Sequence, residues 1–224
     1  MTSRMILPFL AGVIGTAILL SLGIWQVQRL VWKEAVLAEI DARINSAPVP
    51  VPVSPDPERD RYLPVAATGK ITTDEVHVLI SQKSAGAGFR IIAAFETGGR
   101  RILLDRGFVD VTAKDAPRPA VTAAVTGNLH WPQEIDRWTP EPDLAENIWF
   151  ARDVPALART LNAEPVLIIA RKTSVTTPAV TALPVDSAGI PNDHLEYAIT
   201  WFSLAAVWVG MTAFLLWRIR QGRA

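Results

Sequence analysis

Histidine is the side chain that most readily ligates a metal or moves a proton near neutral pH. This chain has three, His77, His130 and His194, and no cysteine. None stands at ligand spacing to another, as a locally built zinc site would require. His77 alternates with Val76 and Val78, and His130 lies between Leu129 and Trp131, so both read as structural or surface residues. His194 differs in its place. It stands just before a long uncharged run, and His194, Tyr197 and Trp201 fall at i, i+3 and i+7, along one helix face. A neutral imidazole beside aromatic rings at a lipid-level surface suits axial ligation of a haem iron. The same residues have a plainer reading. Asp193 and Glu196 form a D-x-x-E helix start in which His194 is the first helical residue, with Tyr197 and Trp201 as interfacial anchors.

Near the other end, "GIWQVQRLVWK" sets Trp25, Arg29 and Trp32 at i, i+4 and i+7, with Lys33 alongside. A cation such as Arg29 suits the carboxylates of a haem. Arg29 and Lys33 read equally as snorkelling charges, and the tryptophans as belt residues. Other chemistry is scarce: the sequence has no G-x-S-x-G, no P-loop and no H-E-x-x-H. Ser81 and Lys83 could share a strand face, but such polar pairs are common on solvated strand ends. No catalytic residue emerges, and no metal ligand apart from His194 toward a haem iron, so the expectation is a protein that is not an enzyme.

Two runs must position these residues. Residues 6–25 and 197–217 contain no Asp, Glu, Lys, Arg or His. Each is long enough to cross a hydrocarbon core of roughly 30 Å as a helix. The alternative for either is a buried core helix. For the first it is also a secretory signal, but the run exceeds a signal core of about 7–15 residues and "SLGIWQVQ" lacks a small-x-small cleavage pattern. The small residues of "AGVIG" and Gly23 would let two helices approach closely. Two spans leave residues 26–196 on one side. Arg4, Arg218, Arg220 and Arg223 place both ends in the cytoplasm; Arg29 and Lys33 argue weakly the other way, because long loops translocate largely regardless of charge. A presequence has no room before residue 6, which points to a bacterial plasma membrane, crossed twice, with the central domain periplasmic.

Residues 26–196 carry all 22 acidic but only 18 of the 22 basic residues, a net charge of −4 that speaks against nucleic acid as a partner. Without cysteine there is no disulfide, C-x-x-C pair, covalent c-type haem or thiolate copper site. The chain therefore divides into a cytoplasmic start (1–5), a first span (6–25), a stalk and spacer (26–61), a β-rich domain with its return loop (62–196), a second span (197–217) and a cytoplasmic tail (218–224). Val27, Leu30, Val31, Val36, Leu37, Ile40 and Ile44 make 26–45 an amphipathic stalk helix. Prolines at 48, 50, 52, 55 and 57 then predict a stiff extended spacer that needs no pairing partner. Strands are predicted at 62–70, 75–81, 89–96, 100–109, 121–131, 148–153 and 164–173, with a glycine hairpin turn in "ETGGRR" and a short helix at 153–162 capped by Asp153. The fold class expected is two transmembrane α-helices, N- and C-terminal, flanking an α+β, mainly β, extracytoplasmic domain.

Four segments together resemble the Surfeit locus protein 1 family: "GIWQVQRLVWK" (23–33), "GFRIIAAFETGGRRILLDRGFV" (88–109), "NIWFARDVPALA" (147–158) and "NDHLEYAITWFSLA" (192–205). The resemblance implies a two-span membrane protein that assists assembly of haem–copper cytochrome oxidases. It implies a role in delivering or inserting haem a during maturation of oxidase subunit I, with the histidine of the last motif, here His194, as the proposed haem ligand. Subunit I, haem a synthase and the lipid bilayer are the partners it suggests. Relatives often read "VNRGWVP" where this chain has "LDRGFVD" at 104–110, and Ala93-Ala94 replaces the usual Thr-Pro.

Overall fold

The computed structural model describes residues 3–83, 85–176, 180–187 and 190–222. Two compact units emerge, one of residues 1–39 with 187–224, the other of residues 40–186.

The first unit is helical. Helix α1 runs Ser3–Ile44, and its last five residues belong to the second unit; the C-terminal helix α3 runs His194–Arg220. At about 1.5 Å per residue each exceeds a bilayer core. Both are long and apolar enough to cross a membrane, and their most apolar windows are only 6% buried, unlike a core helix. The stalk predicted from residue 26 is thus one unbroken continuation of the apolar part of α1.

The second unit is a mixed seven-stranded sheet. Strand β1 is Val49–Pro50, β2 Pro64–Gln82, β3 Gly86–Thr97, β4 Arg100–Asp110, β5 Val121–Leu129, β6 Ile148–Trp149 and β7 Leu167–Thr173; a 3₁₀ turn, Val111–Ala113, follows β4, and helix α2 is Val154–Thr160. Five strands close a ring in the order β2-β3-β4-β7-β5, because β5 pairs back onto β2. Gly69, Lys70 and Ile71 of β2 have partners on both sides, Thr97, Glu96 and Phe95 on β3 and Ala123, Thr122 and Val121 on β5.

Alternation along the strands explains the two layers. Ala93, Phe95, Ile102, Leu104, Val125 and Ile168 fill the inside of the ring. Ile92, Ala94, Leu103, Leu167 and Ile169 point the other way and are covered by Val154, Leu157, Ala158 and Leu161. Asp153 caps α2 by accepting from the Ala156 N–H at 3.1 Å, as its sequence predicts. The hairpin turn also holds, with Gly98 at φ 56° and Gly99 at φ 74°, a backbone that favours glycine.

Two expectations are corrected. The strands predicted at 62–70 and 75–81 are one strand with a register shift between Ile71 and Glu75; Thr72 keeps it continuous by donating to the Ala94 carbonyl at 3.1 Å and accepting from the Asp74 N–H. The proline spacer does pair: Val49 and Pro50 lie parallel to Val65 and Ala66, and the Pro52 carbonyl accepts from Arg100 at 2.7 Å. Proline lacks only a donor, so an edge strand tolerates it.

Candidate functional site

Within the helical unit α1 and α3 run antiparallel along a seam of small residues. Gly12, Gly23 and Gln26 are buried on α1, Ala198 and Ala205 on α3. A Cβ at Gly12 would collide with Thr212, one at Gly15 with Trp208 and one at Gly23 with Phe202, so glycine is what permits the approach. The Trp208 indole N–H donates to the Gly12 carbonyl at 3.2 Å.

The seam reaches His194. This residue opens α3, and its Nδ1 lies 2.8 Å from the Oε1 of Gln26, which is 8% exposed. Gln26 is the only hydrogen-bond partner of the His194 ring among the described residues. Asp193 precedes the helix without a side-chain cap bond, and only its carbonyl receives the Tyr197 N–H, at 3.2 Å. The capping-box reading of Asp193 and Glu196 therefore does not hold.

The other predicted site residues divide. Trp201 is half-buried, three and four residues from Ala198 and Ala205 along the seam, whereas Tyr197 is 55% exposed and turned off it. Trp25 is 50% exposed, next to the buried Gln26 but outside the seam. Arg29 is exposed, and its guanidinium lies over the Trp32 ring, 4.5 Å from the centroid, with no ion pair among the described residues. The structure thus joins His194 to the first helix through Gln26, which the sequence reading did not single out. Its register gave the signal: Gln26 continues the spacing of Gly12, Thr16, Leu19 and Gly23, where an otherwise apolar seam would bury it. Arg223 lies outside the described residues.

The ring domain holds buried charge of its own. His77 is 6% exposed and not on the solvated surface, with Nε2 3.0 Å from the Glu75 Oε1 and 3.3 Å from the Arg118 guanidinium. Arg118 also donates to Glu75 and to the carbonyls of Ala113 and Lys114, so it clasps the loop after β4. Burial opposes ionisation of Glu75, but its bonds to His77 and Arg118 outweigh that and hold its carboxyl below the usual range. His130 stacks on Tyr62 with centroids 5.0 Å apart, and burial, then the nearby Arg152 and Arg61, push its pKa down to about 4. Ser81 and Lys83 are exposed and not bonded to each other. No group of three or more His, Asp or Glu is placed to hold a metal ion among the described residues.

The SURF1 family sequence model matches residues 13–206, which takes in most of α1, the whole ring domain and the first half of α3. The chain belongs to the SURF1 family. It is 30% identical over 210 residues to Surfeit locus protein 1 of Xenopus tropicalis, covering 83% of this chain and 68% of that protein. It is 29% identical over 209 residues to the human protein of that name, covering 83% and 69%. With a SURF1-like protein of Rickettsia felis it shares 30% over 204 residues, 84% of this chain and 87% of the other. The match spans the segments that hold Gln26 and His194 in this SURF1-family chain.

Proposed function

We propose that this chain is a non-enzymatic membrane assembly factor that holds haem a through His194 and assists its insertion into subunit I of a haem–copper cytochrome oxidase. Family membership supports the assembly role. The observation that carries the haem reading is the ring of His194, tied at Nδ1 to Gln26 and without any other hydrogen-bond partner among the described residues. An imidazole held at one nitrogen, with the other left to donate a lone pair, is the arrangement of metal-ligating histidines. Trp25 and Tyr197 offer exposed aromatic surface, and Arg29 is a cation without an acidic partner among the described residues, suited to a haem carboxylate.

Bound haem a would supply the redox-active iron that the oxidase needs. The chain's own part is to orient His194, to offer Arg29 to a carboxylate and to keep both at the surface of the bilayer. In this reading α1 and α3 cross a bacterial plasma membrane, both ends are cytoplasmic and the ring domain is periplasmic. Subunit I and haem a synthase are the partners.

A strain lacking this protein, carrying either the wild type or His194→Ala, tests the function. The expected result is a loss of haem a from the oxidase in the variant, with the variant present in the membrane at the wild-type level. Normal maturation with His194→Ala, and its loss on changes to the ring-domain surface, would favour a scaffold that stabilises an assembly intermediate without touching haem.

A further inference from the structure

We propose that Gln26 is a positioning residue: it fixes the tautomer of His194 and so decides which ring nitrogen faces a ligand. This rests on the reading of His194 as a haem ligand. A neutral imidazole carries one hydrogen, and the nitrogen without it is the one that can bind a metal. The Gln26 Oε1 is an acceptor 2.8 Å from Nδ1, so the hydrogen sits on Nδ1 and the lone pair on Nε2. Nε2 is the nitrogen farther from the backbone, the one a flat macrocycle can approach.

Water does not substitute for this contact. Gln26 is 8% exposed and sits where the glycine seam brings α1 and α3 together, with apolar residues on either side. The acceptor is also neutral. A carboxylate in this position would raise the basicity of the ring and strengthen its hold on iron; an amide orients the ring with less push. That suits a protein that must release its cargo, and Gln26 is chemically matched to a transient ligand.

The rival explanation is that Gln26 only glues two helices together. Nitrogen NMR of the histidine-labelled full-length protein, prepared from cells that make no haem a, separates the two. The signal missing in His194→Ala identifies the residue. The hydrogen is expected on Nδ1 in the wild type, and on Nε2 in a majority of molecules in Gln26→Leu. Haem a affinity should then fall about 10–100-fold in Gln26→Leu, and Gln26→Glu, which keeps an acceptor, should recover both the tautomer and the binding. A wild-type signal with the hydrogen on Nε2 overturns the proposal without any variant. So does a Gln26→Leu protein that keeps the hydrogen on Nδ1, or a Gln26→Glu protein that behaves like Gln26→Leu. If His194→Ala binds haem a as the wild type does, the ligand reading fails, while the tautomer measurement still decides the Gln26 contact.

Discussion

His130 shows how a single ring in the domain sets the response to acid. Its pKa is pushed down to about 4 from the ordinary histidine value of 6.5, first by burial and then by Arg152 and Arg61. The unfolded chain therefore takes up a proton that the folded chain refuses, so stability is full above about pH 6.5 and drains as the pH falls toward 4. The loss from this residue is on the order of 3 kcal/mol. His130→Phe keeps an aromatic ring against Tyr62 and removes the titration; acid unfolding followed by circular dichroism should flatten between pH 6.5 and 4. An unchanged pH profile would show that His130 is not the responsible group. At this scale the sequence spoke unevenly. His194 was legible because an uncharged run of some twenty residues begins beside it. Gln26 showed only as a polar residue in the register of Gly12, Thr16, Leu19 and Gly23, since its pairing with His194 comes from a contact 168 residues away. His77 read as structural or surface by alternation; it is buried because the loop held by Arg118 covers it, and that cover is a tertiary fact.

Among the elements, the helices and the hairpin were legible because their causes are local: composition, periodicity, the Asp153 cap and two adjacent glycines. The long strand β2 was misread as two because Thr72, Thr73 and Asp74 look like a turn, although the ladder resumes at Glu75 with a shifted register. The proline spacer was misread for a related reason, because its partner residues, Val65 and Ala66, lie beyond the intervening loop. The helix seam yields a sharper prediction. The chain has no native cysteine, so Gly12→Cys with Thr212→Cys is a clean pair and should cross-link on mild oxidation. Adding Gly23→Leu, whose side chain would meet Phe202, should cut that cross-link severalfold. Equal cross-linking with and without Gly23→Leu would mean that the seam does not depend on close approach at that glycine.

For the whole molecule, ring closure could not be read from the sequence. It depends on the parallel pairing of Leu103 with Leu167 across more than sixty residues and on β2 serving two neighbours at once. The end of α1 is tied into this domain, because the Ile44 carbonyl accepts from the Asn128 amide at 3.0 Å and also from Arg171. Topology is testable at this level with a membrane-impermeant thiol reagent. A cysteine at Trp138, which is 75% exposed, should label in intact spheroplasts, and one at Gln221 only after permeabilisation. Labelling of both, or of Gln221→Cys alone, would contradict a two-span chain with its ends inside.

His194 as the ligand for haem is the reading on which the proposed function rests. Its most direct measurement is the optical spectrum of the full-length protein purified from cells that make haem a, beside that of His194→Ala. Absorption from bound haem a in the wild type that is lost in the variant is the predicted result. A wild-type protein without haem, or a spectrum unchanged by His194→Ala, would contradict it.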